Sequence, residues 1–147
     1  MDERIIKARK LAEQYKLQKY HCSESIIRAV PEALGFEVSD DVIKAACAFF
    51  AGGGGTKGRC GVFESCMMLM SLLYGRMTPA ESDNDLRILS EELVKRFTEK
   101  FGSLNCADIK PAEIERYGED FSCMRIYRDG AELVAQLLID APELLNK

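Results

Sequence analysis

The stretch AGGGGTKGRCGVFESCMMLMSLLYG, residues 51–75, decides the fold of this chain. Its glycine-rich first half ends at Cys60, and the thirteen residues from Val62 to Tyr74 are apolar almost all the way round a helical wheel. A helix that is apolar on every side lies in the protein interior. We therefore predict that Val62–Tyr74 is the most buried helix of the protein. It is too short to span a bilayer, which requires about 20 residues.

Cys60 lies at the junction between the glycine-rich loop and this central helix. The amino-terminal end of a helix carries roughly half a positive charge, and the neighbouring Lys57 and Arg59 add full charges. Positive surroundings favour a thiolate over a thiol, so the position predicts a lowered pKa for Cys60. Any chemistry of the protein is expected to begin at this thiol.

The rest of the chain has apolar residues at helical spacing and no alternation convincing enough for a strand. A proline inside a helix removes a hydrogen bond, so we expect a bend or break at Pro31. Gly75 and Gly102 are expected to end helices in the left-handed conformation. Besides the central helix, the predicted helices are 3–17, Cys22 or Ser23 to Gly35, Ser39 to Phe50, Asp83 to Phe101, a short piece near Pro111 to Tyr117, and Phe121 to Ile139.

Length and composition predict one all-α domain over residues 1–147, a compact bundle of five to seven helices around the central one. The net charge of −4 and the absence of a basic run argue against nucleic acid as a partner. No window of 18 apolar residues occurs, which argues against membrane insertion. The charged start MDERIIKARKLAEQYKL lacks the apolar core of a signal peptide, so we expect a cytoplasmic protein.

Six cysteines are many for such a chain, and in a reducing cytosol they indicate redox or metal chemistry rather than structural disulfides. Cys47 and Cys66 lie inside predicted helices among apolar residues. We predict that these two thiols only pack there and are dispensable for chemistry. The other four lie at or just before predicted helix starts, where free N–H groups favour a thiolate: Cys22, Cys60, Cys106 and Cys123.

The order of these pieces resembles the family of redox-active proteins named for the pattern C_GCAxxG_C_C. The matching pieces are His21-Cys22-Ser23, Ala51 to Gly61, Phe101 to Cys106, and Ser122-Cys123. The resemblance implies a small α-helical protein of bacterial or archaeal origin in which these four cysteines are functional. Members are often encoded near transporter genes, so we expect a redox partner of unknown identity that is associated with a transporter.

The chain departs from this family at the central motif, which is usually Cys-Gly-Ala followed by a glycine three residues on. Here Val62 takes the place of the alanine and Ser65 that of the glycine. Larger side chains on that face of the helix imply a different neighbour packed against it.

Three hypotheses fit four such cysteines. The first is thiol redox chemistry through reversible disulfides, as in a thiol-dependent oxidoreductase. The second is an iron–sulfur cluster or zinc held by the four thiolates, although separations of 38, 46 and 17 residues match no short ligand motif. The third is a helical bundle whose cysteines only pack. Both chemical hypotheses require the four cysteines to meet in one pocket beside the glycine-rich loop, because a disulfide needs Cα atoms within about 7 Å.

The glycines Gly52, Gly53, Gly54 and Gly55 follow a predicted helix and lack the Walker A pattern, which excludes a phosphate-binding loop of that type. Their freedom at positive φ lets a backbone approach a cofactor or thiol closely, so they are candidate cofactor-binding residues. Two polar residues keep alternatives open. His21 either tunes the pKa of the adjacent Cys22 or lies in a surface turn. Glu64 is either a proton acceptor near Cys60 or a partly exposed side chain.

Overall fold

A computed structural model describes every residue from Met1 to Lys147 and confirms the all-α class. One hydrophobic cluster extends from Ile5 near the start of the chain to Ala141 near its end. None of the helices combines the length and the apolar character needed to cross a membrane. In chain order the elements are α1 (Glu3–Leu17), α2 (Cys22–Leu34), α3 (Asp40–Ala45), a 3-10 helix (Cys47–Gly52), α4 (Gly61–Tyr74), α5 (Asn84–Phe101), α6 (Cys106–Tyr117) and α7 (Met124–Leu144).

The core is shared by α2, α4 and α7 rather than built around α4 alone. α4 packs against α2, α5 and α7, and Phe63 meets Phe97 of α5 edge-on with ring centroids 5.3 Å apart. However, α2 buries eight of its 13 residues and α4 only seven of its 14, so the prediction that α4 is the most buried helix is wrong. Leu72 and Leu73 in the last turn of α4 are 42% and 43% exposed. Apolar composition permits burial, but neighbouring elements decide which turns are covered.

The predicted ends of two helices are confirmed at glycine residues. α2 ends at Gly35 and α5 at Gly102, both in the left-handed conformation with φ of 80°. Gly75 differs from the prediction, since its φ of −72° is ordinary extended backbone. The predicted helix from Ser39 to Phe50 is also shorter, because the chain changes to 3-10 geometry at Cys47 after α3 has ended.

Three prolines lie inside continuous helices: Pro31, Pro111 and Pro142. The expected break at Pro31 is absent, because α2 continues through it to Leu34. Pro31 lies in the last turn, and its carbonyl accepts hydrogen bonds from the N–H groups of Gly35 and Phe36 at 2.8 and 3.1 Å. Pro111 lies within α6, which begins at Cys106 and is therefore longer than the predicted piece.

Backbone pairing fixes the start of α6 against the glycine-rich loop. The Cys60 N–H donates to the Leu104 carbonyl, and the Cys106 N–H donates to the Gly58 carbonyl, both at 2.7 Å. The two bonds flank an isolated antiparallel bridge. This pairing joins the beginning of α4 to the beginning of α6 and so brings two cysteines that are distant in sequence into one region.

Candidate functional site: a four-cysteine cavity

One cavity of about 320 Å³ is lined by Cys22, Cys60, Cys106 and Cys123. Cys22 and Cys106 are the first residues of α2 and α6, whereas Cys60 and Cys123 are the N-caps of α4 and α7. All four thiols are free; Cys60 and Cys106 are buried, and the other two are half-buried. The predicted convergence at helix starts is confirmed, and the chemical role of the four cysteines stays a prediction.

The sulfur of Cys22 lies directly over the first residue of α4. A Cβ atom placed on Gly61 would lie 2.4 Å from the Cys22 Sγ atom, so a glycine is required for this approach. The N–H groups of Ser23 and Ala51 point to the Cys22 sulfur. The sulfur of Cys60 similarly faces N–H groups of the first turn of α4. Both thiols therefore have backbone donors that could stabilise a thiolate.

Cys123 has a strained backbone and an acidic neighbour. Its φ of 65° places it in the left-handed region, which costs a non-glycine residue roughly 1–2 kcal/mol. The Glu113 side chain is only 3% exposed, and its nearest cationic atom is Arg125 Nη2 at 3.4 Å. The negative charge of Glu113 adds to burial in raising the pKa of the Cys123 thiol to about 11.

The lowered pKa predicted for Cys60 is wrong, because burial outweighs the helix end. Removal from water raises the pKa of Cys60 to about 12, although the N–H groups of Val62 and Phe63 act in the opposite direction. Burial also raises the pKa of Cys22. Neighbouring sulfurs add to both increases, since two thiolates in one cavity repel each other. The four-cysteine cavity thus favours protonated thiols in the reduced protein.

The free energy of unfolding of the reduced protein is expected to fall as the pH rises from about 9 toward 12. A thiol with a raised folded pKa stabilises the fold below its unfolded pKa of 9.0, and this contribution is lost as the pH passes through the folded value, about 12 for Cys60. At pH 10 the loss from Cys60 amounts to roughly 1 kcal/mol. Urea unfolding in reductant at several pH values measures it. Cys60→Ala should show a shallower decline, and an equally steep one would contradict the assignment.

The two cysteines set aside as packing residues have different environments. Cys66 is fully buried in the core, as predicted. Cys47 is exposed, contrary to the prediction, and its sulfur lies 3.7 Å from Glu24 Oε2. Neither α3 nor the 3-10 helix that begins at Cys47 buries a residue, so the predicted burial of this segment is absent. Neither residue lines the cavity.

The glycines of the loop serve its conformation. Gly52, Gly53, Gly54 and Gly55 have φ values between 58° and 91°, where other residues are strained. A Cβ on Gly52 would lie 2.2 Å from the backbone nitrogen of Gly58, so the close approach is to the loop itself. None of the four glycines lines the cavity. Their predicted role in binding a cofactor is untested.

His21 and Glu64, the two polar residues with open alternatives, have different surroundings in the fold. His21 lines the cavity as the N-cap of α2, and its exposed ring stacks on Phe50 with centroids 4.9 Å apart. The Glu64 side chain is 18% exposed and pairs with Arg59 at 2.5 Å. Partial exposure, the simpler alternative for Glu64, is therefore confirmed, and its carboxylate already has a partner.

Sequence reasoning missed several residues around the cysteines. Lys16, Lys110 and Tyr127 line the cavity, and the buried Glu113 lies close enough to affect Cys123. The Lys16 Nζ atom lies over the Tyr127 ring, 5.0 Å from its centroid. These residues belong to α1, α6 and α7, and only the packing of those helices places them near the thiols. No local sequence signal separates them from other lysines or tyrosines.

A metal can be tested against the arrangement of donors. No group of three or more His, Cys, Asp and Glu side chains is positioned to hold a metal ion. The arrangement therefore does not fit the compact tetrahedral site of zinc. An iron–sulfur cluster is larger and is held by four thiolates, a donor number that the cavity supplies.

Fold and site together define a small all-α protein with four free cysteines around one cavity. Residues 20–137 match the model of a family described as "Putative redox-active protein (C_GCAxxG_C_C)". The match covers most of the chain, which therefore belongs to this redox-active family. A search of curated proteins and a search of solved structures found no match.

The two departures from the central motif each have a partner in the fold. Val62 packs against Gly130 of α7, where an added Cβ would lie 2.4 Å from Val62 Cγ1. The buried Ser65 hydroxyl donates a hydrogen bond of 2.7 Å to the carbonyl of Ser23 in α2. Gly130 thus leaves room for the Val62 side chain, and a backbone acceptor satisfies the Ser65 hydroxyl.

Proposed function

We propose that this protein performs reversible thiol–disulfide chemistry with the four cysteines of the cavity. The observation that supports the proposal most directly is their convergence from four separate helix starts on one cavity, all as free thiols. Membership of a redox-active family agrees with it. In a helical bundle with packing cysteines only, there is no reason for these four to line one cavity while the buried Cys66 does not.

The proposed reaction exchanges two protein thiols for one disulfide. One cavity thiol loses its proton and attacks a sulfur of an external disulfide, forming a mixed disulfide and releasing a thiolate that takes up a proton. A second cavity thiol then attacks the protein sulfur of the mixed disulfide and releases the second external thiol. Two electrons pass to the external disulfide, the protein gains one disulfide bond, and the proton of each protein thiol ends on a released thiol.

The burial of the cavity thiols slows the first step, the attack on an external disulfide. Burial keeps the thiols protonated, as the raised pKa values of Cys22 and Cys60 indicate. Protonated thiols attack disulfides poorly, so the reduced protein is expected to be unreactive toward small oxidants that cannot enter the cavity. Backbone N–H groups at the starts of α2 and α4 can receive the thiolate once it forms.

Thiol–disulfide buffers of defined potential test the proposal. The reduced protein is equilibrated anaerobically in each buffer, free thiols are alkylated, and disulfides are located by mass spectrometry. We expect cavity cysteines to pass between thiol and disulfide within the range of biological dithiols, with Cys66 unchanged. If no disulfide forms among the four cysteines under any buffer, the proposal is wrong.

Metal analysis and an ultraviolet–visible spectrum of anaerobic protein examine the alternative in the same samples. Bound iron with visible absorption, together with cysteines that resist oxidation, would replace thiol exchange by cluster chemistry. The residues holding that group would be the same four cysteines, and the group would supply one-electron transfer.

A further inference from the structure

We infer that the four-cysteine cavity accepts small anionic sulfur compounds, namely thiols and disulfides that carry carboxylates. The inference rests on the proposed thiol–disulfide function and adds a substrate class to it. The supporting features are the size of the cavity, the charges that line it, and the contrast between those charges and the rest of the chain.

The cavity has the dimensions of a small-molecule site. Its volume of about 320 Å³ lies at the lower end of the roughly 300–1,000 Å³ typical of ligand pockets. Apolar side chains such as Ile109, Ile126 and Phe50 form much of its wall. The thiols lie inside this concave space, with Cys60 only 8% exposed. A compact molecule can enter such a space more easily than a folded protein surface can.

Two lysines distinguish the cavity from the remaining surface. Lys16 of α1 and Lys110 of α6 line it, and they are the only half-buried lysines of the chain, since all the others are exposed. Neither forms an ion pair with a carboxylate of the protein. The positive charge of Lys110 also favours the thiolate of Cys123. These half-buried cations thus line the same cavity as the thiols and form no ion pair of their own.

The charge of the residues that line the cavity is positive, whereas the net charge of the chain is negative. The chain carries a net charge of −4, so its average field repels anions. Lys16 and Lys110 line the cavity together with one carboxylate, that of the exposed Glu119. The buried Glu113 also acts on Cys123, but its negative charge is paired with Arg125. Charges that line a cleft with apolar walls act on ligands more strongly than the same charges in open water. A carboxylate on the substrate can pair with either lysine while its sulfur meets a thiol.

Oxidation of the reduced protein by three small disulfides of different charge tests the inference. The disulfides are dithiodiglycolate with two negative charges, neutral hydroxyethyl disulfide, and cystamine with two positive charges. Rates of cavity disulfide formation at low salt are divided by the rates of each compound with free dithiothreitol, which removes differences in intrinsic reactivity. We expect the dianion to react about tenfold faster than the neutral compound and the dication to be slowest. Salt at about 1 M, where the screening length is about 3 Å, should compress the differences.

Lysine variants locate the effect. In the double variant Lys16→Gln with Lys110→Gln, the ratio of the corrected rate of the dianion to that of the neutral compound should fall close to one. The matched control, Lys10→Gln with Lys44→Gln, removes two exposed lysines and should keep the preference. Circular dichroism verifies that both double variants are folded, and the charge series and salt dependence of the unmodified protein need no variant.

The outcomes separate this inference from the proposed function. Disulfide formation in the cavity without an anion preference, or with a preference that the Lys16 and Lys110 variants retain, overturns the inference and leaves the proposed function standing. If none of the three compounds forms a disulfide in the cavity, the proposed function fails, and the substrate class fails with it.

Discussion

Replacing Cys22 by serine is expected to abolish rapid disulfide formation in the cavity. Cys22 is the cavity thiol whose sulfur lies directly over Gly61, the residue that follows Cys60. It lines one cavity with the other three thiols, so we expect it to be a partner in the disulfide that forms there. Serine keeps the size and the hydrogen-bonding capacity of the side chain but cannot form a disulfide. The effect should therefore be on chemistry and not on the fold.

The measurement is the rate and stoichiometry of thiol loss during oxidation, with the resulting disulfides mapped. Cys47→Ser and Cys66→Ser are the matched controls, and both should oxidise their cavity cysteines at the rate of the unmodified protein. An unchanged rate and stoichiometry in Cys22→Ser would show that the remaining cysteines suffice and that Cys22 is not central. Loss of cavity oxidation in either control would contradict the packing role of that cysteine.

The cysteine set could be predicted because its signals are local. Helix starts follow from caps and from the onset of helical spacing, and Cys22, Cys60 and Cys106 lie at such starts. Meeting in one cavity was a chemical requirement of the hypotheses rather than a pattern in the sequence. It depends on the backbone pairing between the loop and α6, which the periodicity of apolar residues in the sequence does not predict.

The pKa values could not be predicted, because they depend on long-range packing. A helix start with Lys57 and Arg59 beside it favours a thiolate as long as water is present. In the fold, Cys60 is buried and Arg59 pairs with Glu64 on the solvent side. Desolvation then exceeds the helix-end effect and reverses the direction of the shift. Burial of one atom is a property of the whole fold and not of its neighbouring residues.

Gly61→Ala is expected to damage both stability and redox chemistry. The backbone of Gly61 has ordinary helical geometry within α4, so the added methyl group causes no conformational strain of its own. It would, however, lie 2.4 Å from Cys22 Sγ and 2.7 Å from the Phe49 carbonyl oxygen. Overpacking of this kind typically costs about 1–3 kcal/mol. Relief requires movement of both the Cys22 sulfur and the Phe49 backbone away from α4, and the first of these changes the distance of Cys22 from the other thiols. This contact explains the glycine after Cys60 in the central motif, because a residue with a Cβ atom leaves no room for the Cys22 sulfur.

Gly130→Ala provides the matched control, since its Cβ would overlap Val62 Cγ1 at the same distance of 2.4 Å without meeting a sulfur. Both variants should unfold at lower urea concentration than the unmodified protein, and adding Val62→Ala should restore much of the loss in Gly130→Ala. Only Gly61→Ala should slow disulfide formation at the cavity under conditions where both variants remain folded. Equal oxidation rates in the two glycine variants would mean that the sulfur of Cys22 tolerates displacement. The contact between Cys22 and Gly61 would then contribute to packing alone, because the Cys22 thiol would react equally well without it.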